Sequence, residues 1–183
     1  MNFTELPIRG AWLIDPTPHA DHRGAFYRAW CTDEFSAHGI DFVPLQANVG
    51  TSHAKGTIRG LHYQAAPHEE IKLVRCTRGS VFDVLVDLRP GSPTFGQWAS
   101  VELSPENGRM LLVPRGCATG YQTLEDESDL YYMTSTVYAP KAVRGLRYDD
   151  PTVGIRWPLP PAAISDQDTK WPSLEDHLLA QAR

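Results

Sequence analysis

Hydrophobic and polar positions alternate in short runs along the chain, and turn residues separate the runs. A-W-L-I-D at 11–15, A-F-Y-R-A-W at 25–30, V-P-L-Q-A-N-V at 43–49 and G-T-I-R-G-L-H-Y-Q at 56–64 read as strands. So do I-K-L-V-R-C-T at 71–77, S-V-F-D-V-L-V-D-L at 80–88 and F-G-Q-W-A-S-V-E-L at 95–103. R-M-L-L-V-P at 109–114, G-Y-Q-T-L at 120–124 and D-L-Y-Y-M-T-S-T-V-Y at 129–138 complete the set. Fifteen prolines and fourteen glycines break up the chain, which predicts an all-β sandwich or barrel. Within 80–88, Phe82, Val84, Val86 and Leu88 share one face, and Asp83 and Asp87 share the other. That second face either meets solvent or lines a polar cavity. Helix signals are few. Thr32 is placed to cap D-E-F-S-A-H before Gly39, and Ser173 to cap L-E-D-H-L-L-A-Q-A.

Length and charge narrow the reading. The 183 residues suit one domain, 1–183, with room for a core and a ligand cavity. A net charge of −5 and a pI near 5.8 argue against a nucleic-acid partner. Cys31, Cys76 and Cys117 are widely spaced and form no metal or disulfide pattern, which fits a reducing compartment. No apolar run approaches membrane-spanning length, and no apolar signal core opens the chain. A soluble cytoplasmic protein is expected.

Two segments carry barrel turns at a recognisable spacing. G-T-I-R-G-L-H-Y-Q-A-A-P-H-E at 56–69 and G-R-M-L-L-V-P-R-G-C-A-T at 108–119 resemble the two motifs of the cupin jelly roll. Gln64 and Thr119 stand where two of the motif histidines would be. His62 and Glu69 remain, short of a catalytic metal's three protein ligands. His53 and His68 lie in loop-like sequence, so no metal and no other cofactor is expected. Taken alone, His62 would be a packed core histidine, Lys72 an edge-strand charge and Tyr132 a packing tyrosine.

The longer pattern resembles the dTDP-4-dehydrorhamnose 3,5-epimerase family, cofactor-free cupins that act on nucleotide-linked 4-keto-6-deoxy sugars. D-H-R-G-A-F at 21–26, Q-A-N-V at 46–49, R-G-L-H-Y-Q at 59–64 and K-L-V-R at 72–75 carry the resemblance. V-D-L-R-P-G-S-P-T-F-G at 86–96, L-S-P-E-N at 103–107, Y-D-D-P at 148–151 and the I-S-D-Q-D-T-K-W-P tail extend it. It implies a homodimer with His62 as base, Tyr132 as opposing acid, Asp168 paired with His62, and Lys72 beside the sugar ketone. It further implies that Arg23, Gln46, Asn48 and Arg59 hold the sugar nucleotide and that Tyr138 stacks on its base. Arg59 and His62 have opposite strand parity, so both face one cavity only if the strand is irregular near Gly60; a bulge is expected there.

This chemistry suits the residue types. An imidazole titrates near neutrality and can take a proton from carbon beside a ketone. A carboxylate behind it fixes the tautomer, and an ammonium at the ketone oxygen stabilises the enolate. The chain departs from the family at Thr119, where a sugar-pocket histidine is usual, and at Arg28, Gln167 and Val143. These departures point to a related but different sugar, or to epimerisation at C3 or C5 alone. A catalytically silent sugar-nucleotide-binding cupin is the alternative from another class.

Overall fold

The computed structural model of the chain describes residues 1–181. In chain order the first strands are β1 (Asn2–Glu5), β2 (Trp12–Asp15), β3 (His19–Asp21) and β4 (Gly24–Phe26), followed by helix α1 (Thr32–Ala37). The middle of the chain forms β5 (Gln46–Ser52), β6 (Ile58–Gln64), β7 (Lys72–Arg78), β8 (Val81–Asp87) and β9 (Trp98–Leu103). Then come β10 (Met110–Val113), β11 (Cys117–Thr123), β12 (Ser128–Thr134), β13 (Val143–Gly145) and helix α2 (Leu174–Gln181).

Two antiparallel sheets face each other. One runs β1-β2-β10-β7-β12-β5 and the other β13-β6-β11-β8-β9; β3 and β4 form a separate hairpin. Val74, Cys76, Leu111 and Leu130 of the first sheet pack against Val81, Leu85, Leu103 and Tyr121 of the second. Burying each aliphatic side chain of that layer stabilises the fold by about 1.5–3 kcal/mol. The outer face of the first sheet is covered by Phe35 of α1 with Ile40 and Phe42. The outer face of the second is covered by Leu146, Val153 and Leu174, so the C-terminal segment serves as a third layer.

The strand alternation read from sequence is resolved by this layering. Val84, Val86 and Leu88 face the outer layer, and Val81 and Leu85 face the interior. Asp83 and Asp87 share that interior side, and both are buried. Ser173 caps α2 as expected: its hydroxyl accepts from the Asp176 N–H at 3.2 Å, and its own N–H donates to Asp176 at 3.0 Å. The predicted end of that helix at Ala182 lies outside the described residues. Three expectations need correction. Thr32 is the first helical residue of α1 rather than its cap; Cys31 holds the cap position and makes no side-chain cap bond. The run at 25–30 is a strand only to Phe26, as the second arm of a hairpin that turns at His22 and Arg23. The run at 129–138 ends as a strand at Thr134, whose hydroxyl donates to Thr136 O at 2.8 Å.

Candidate active site

The bulge expected near Gly60 is present. Thr119 pairs with His62 and Tyr121 with Arg59, so Gly60 and Leu61 on β6 stand opposite Gly120 alone on β11. Glycines on both strands permit the close approach. Gly60 has φ +128°, and a Cβ there would stand 2.5 Å from the Gly120 Cα. The irregularity turns Arg59 and His62 toward one cavity of about 470 Å³, which Lys72, Asp83, Thr119, Tyr121, Tyr132, Gln167 and Asp168 also line. A smaller cavity of about 200 Å³ adjoins it through His62, Lys72, Tyr132 and Gln167, and adds Gln46, Asn48, Tyr138 and Val143.

Asp168 reaches His62 from far along the chain. The segment before it is fastened to the start of β6: Ala162 N–H donates to Gly56 O and Ile58 N–H to Ala163 O, each at 2.9 Å. After it, Trp171 lies over Gly145, where no side chain would fit. Between these anchors, Asp168 Oδ1 lies 2.6 Å from His62 Nε2 and accepts from the Trp171 indole N–H at 3.1 Å. The Gly60 N–H is 3.3 Å from its other oxygen. Burial works against the charged carboxylate, yet the His62 bond, the His62 charge and these two donors outweigh it and lower its pKa. The carboxylate thus accepts the Nε2 proton, which leaves Nδ1 as the basic nitrogen of His62.

Lys72 lies 3.2 Å from the Glu70 carboxylate and donates to His62 O at 3.4 Å. Tyr132, on the opposite sheet from His62, pairs with Asn48 and Val74, and burial raises its pKa. Arg59 is aimed by bonds to Ser52 Oγ at 3.1 Å and Thr51 O at 2.8 Å, and no carboxylate pairs with it among the described residues. Gln46 donates to Asn48 Oδ1 at 3.0 Å and accepts from the Tyr138 N–H at 3.0 Å, so these three residues form one linked wall. Arg23 lines neither cavity. It stands on the β3–β4 hairpin, 78% exposed and paired with Asp21.

The motif positions without histidine are both engaged. Gln64 is buried, donating to Glu70 at 2.9 Å and accepting from the Ala139 N–H at 2.6 Å. Thr119 Oγ1 contacts Val84 O and Asp83. Glu69 is exposed, and no group of three or more metal-ligating side chains stands together among the described residues. Three site residues escaped the sequence reading. Asp83 had been placed on the correct strand face without a choice between solvent and cavity. Glu70 and Tyr121 could have been found by parity, since each lies two residues from Lys72 or Thr119.

Fold and site together define a jelly-roll protein whose cavity holds a histidine–carboxylate pair, a lysine, and a tyrosine from the opposite sheet. Residues 5–176 match the family model described as dTDP-4-dehydrorhamnose 3,5-epimerase. The chain belongs to that family. It is 43% identical over 175 residues to the dTDP-4-dehydrorhamnose 3,5-epimerase of Sinorhizobium fredii, covering 95% of this chain and 90% of the relative. The solved rmlC epimerase of Mycobacterium tuberculosis superposes with a TM-score of 0.94 at 39% identity, covering 99% of this chain and 92% of that one. The 3'-monoepimerase ChmJ of Streptomyces bikiniensis, solved with dTDP-quinovose, superposes with a TM-score of 0.89 at 37% identity, covering 96% and 89%.

Proposed function

We propose that the protein epimerises a nucleotide-linked 4-keto-6-deoxyhexose, such as dTDP-4-dehydro-6-deoxyglucose, at C3, C5 or both. The observation that carries this reading is the His62–Asp168 pair at 2.6 Å, set in one cavity with Lys72 and Tyr132. His62 Nδ1 takes the proton from the carbon beside the ketone, and Asp168 stabilises the imidazolium. Lys72 faces the ketone oxygen and offsets the enolate charge. Tyr132 returns a proton from the opposite face, which inverts the centre. Arg59 meets the diphosphate, while Gln46, Asn48 and Tyr138 hold the nucleoside in the smaller cavity. The chemistry draws on these side chains and needs no metal. His62→Ala is expected to reduce solvent hydrogen exchange into the substrate by about 10²–10⁴-fold while nucleotide binding persists. A loss of only a few-fold would assign the base to another residue.

A second reading concerns which carbon reacts. Thr119 pairs directly with His62 across the ladder, and its hydroxyl is engaged with Val84 O and Asp83. It therefore offers the sugar no free donor beside the base, which favours one of the two poses that double epimerisation requires. In deuterated water one carbon should take up label much faster than the other. Equal labelling at C3 and C5 would make Thr119 a neutral replacement; no labelling of any 4-keto substrate would leave a binding module.

The reading includes a cytoplasmic homodimer. An isolated two-stranded hairpin is marginal in water, yet every residue of β3 and β4 is exposed, including Phe26 at 77%. Val49, on edge strand β5, is 64% exposed. A second copy would cover these groups and give Arg23 a bound nucleotide to meet. Light scattering that returns the mass of one chain would remove the dimer. The cytoplasm is supported by the three free cysteines, and no helix among the described residues is long and apolar enough to cross a membrane.

A further inference from the structure

Asp83 has no role in the chemistry above, yet it lines the same cavity as Lys72 and is only 1% exposed. Its hydrogen bonding requires one more proton than Thr119 can supply. Thr119 Oγ1 lies 2.9 Å from Val84 O and 3.1 Å from Asp83 Oδ1. A threonine hydroxyl has a single proton, and a backbone carbonyl can only accept. The two acceptors share that proton. An ionised Asp83 therefore receives at most part of one hydroxyl bond, whereas a protonated Asp83 donates to Oγ1 and leaves the threonine proton to Val84 O.

Burial acts in the same direction. It pushes the Asp83 carboxyl up to about 7, against weaker opposing pulls from the Thr119 bond, the Lys72 charge and the Val84 backbone. The surroundings supply little else to hold a negative charge. On β11 the facing groups are Thr119 and Tyr121, β9 presents Val101, and β7 presents the Lys72 ammonium. Arg59, Tyr132 and the His62–Asp168 pair share the cavity. Among the described residues no cation lies within ion-pair distance of Asp83, whereas Lys72 is already 3.2 Å from Glu70.

We propose that Asp83 is a positioning residue for Lys72. In its neutral form it leaves the ammonium paired with Glu70 alone and available to the cavity; on losing its proton to solvent it draws the ammonium toward itself. This rests on the assignment of Lys72 to the ketone oxygen. The rate therefore has an alkaline limb set by Asp83, falling about tenfold per pH unit once the carboxyl is ionised.

Two kinds of measurement test it, and the first needs no substrate. Carboxyl-carbon NMR of the whole protein should show one aspartate titrating near neutrality, and Asp83→Asn should remove that signal. The Lys72 Nζ resonance should follow the same curve in the original protein and stay flat in Asp83→Asn. Lys72→Met removes a cation that favours the carboxylate, so the Asp83 midpoint should rise. An Asp83 already ionised in mildly acid solution, or a midpoint unmoved by Lys72→Met, overturns the proposal. During turnover, Asp83→Asn should keep its rate at alkaline pH where the original protein declines; superimposable pH profiles also overturn it. Should no 4-keto sugar nucleotide be turned over at all, the epimerase reading fails, and the NMR titrations still decide the coupling.

Discussion

Asp83 and Asp87 lie on one interior face of β8, four residues apart and both buried. Asp87 accepts from Arg89 Nε and Nη2 at 2.8 Å each, and from the Ser92 and Thr94 hydroxyls at 2.6 Å each. Burial opposes its charge, but these donors prevail and hold it well below the usual carboxylate range. Asp83 has the Thr119 hydroxyl and a more distant lysine, and burial prevails instead. The supply of donors and the depth of desolvation together decide whether a buried carboxyl is a fixed charge or a titrating group: Asp83 is the more deeply enclosed and has the fewer donors. Asp87 anchors the 87–96 turn, and Asp83 faces the cavity.

The comparison can be broken most severely at its structural end. Asp87→Ala leaves the Arg89 guanidinium partly buried without a counter-ion and should lower stability by about 3–5 kcal/mol in denaturant melts. A change below about 1 kcal/mol would mean that water supports the turn as well as the carboxylate does. Next in size, Asp168→Asn should slow hydrogen exchange by about tenfold or more, because the imidazolium loses its partner. Melting curves should fall only by the contribution of the Asp168 charge, since the 162–171 strap keeps its backbone anchors. An unaltered exchange rate would take Asp168 out of the reaction.

Stability as a function of pH sharpens the contrast further. The folded-state value of Asp83 is raised, so its contribution to stability is complete below the ordinary aspartate range and is lost as pH rises through about 7. The values of Asp87 and Asp168 are lowered, so their contributions exist above the ordinary range and fade as pH falls. Asp83→Asn should therefore gain thermal stability relative to the original protein as the solution is made alkaline, and Asp87→Asn should lose least in acid. Parallel melting curves for Asp83→Asn and the original protein at every pH would remove the titrating group. The smallest expected effect is that of a chelator, which should leave both melting temperature and exchange rate unchanged; stoichiometric metal lost together with activity would place a ligand set in the cavity.

The sequence alone gave access to those features of the site that strand parity and turn spacing control. Residues 56–64 carry Arg59 and His62 at opposite parity beside a glycine, and the bulge was expected once the family resemblance assigned both to one pocket. Asp83 was legible as a polar alternate position but not as an interior one, because parity separates two faces without saying which is inside. Outer packing by Leu146, Val153 and Leu174 settles the question, and those residues lie in a segment with no strand signal. The His62–Asp168 contact joins residues 106 apart and came only through family resemblance, since the strap that delivers it makes few regular ladder bonds. The β3–β4 hairpin was missed because Ala25–Trp30 keeps a strand's composition after the chain has already left the ladder.

The strap also sets an order of events during synthesis. Every barrel strand has been made before residue 146, whereas Asp168, the carboxylate paired with His62, arrives some twenty residues later. A domain generally folds as a unit. A ribosome that stops between Gly145 and Ser165 therefore releases a chain that lacks Asp168 and, with Leu174, part of the layer over the second sheet, so the same loss removes a stabilising cover and the partner of His62.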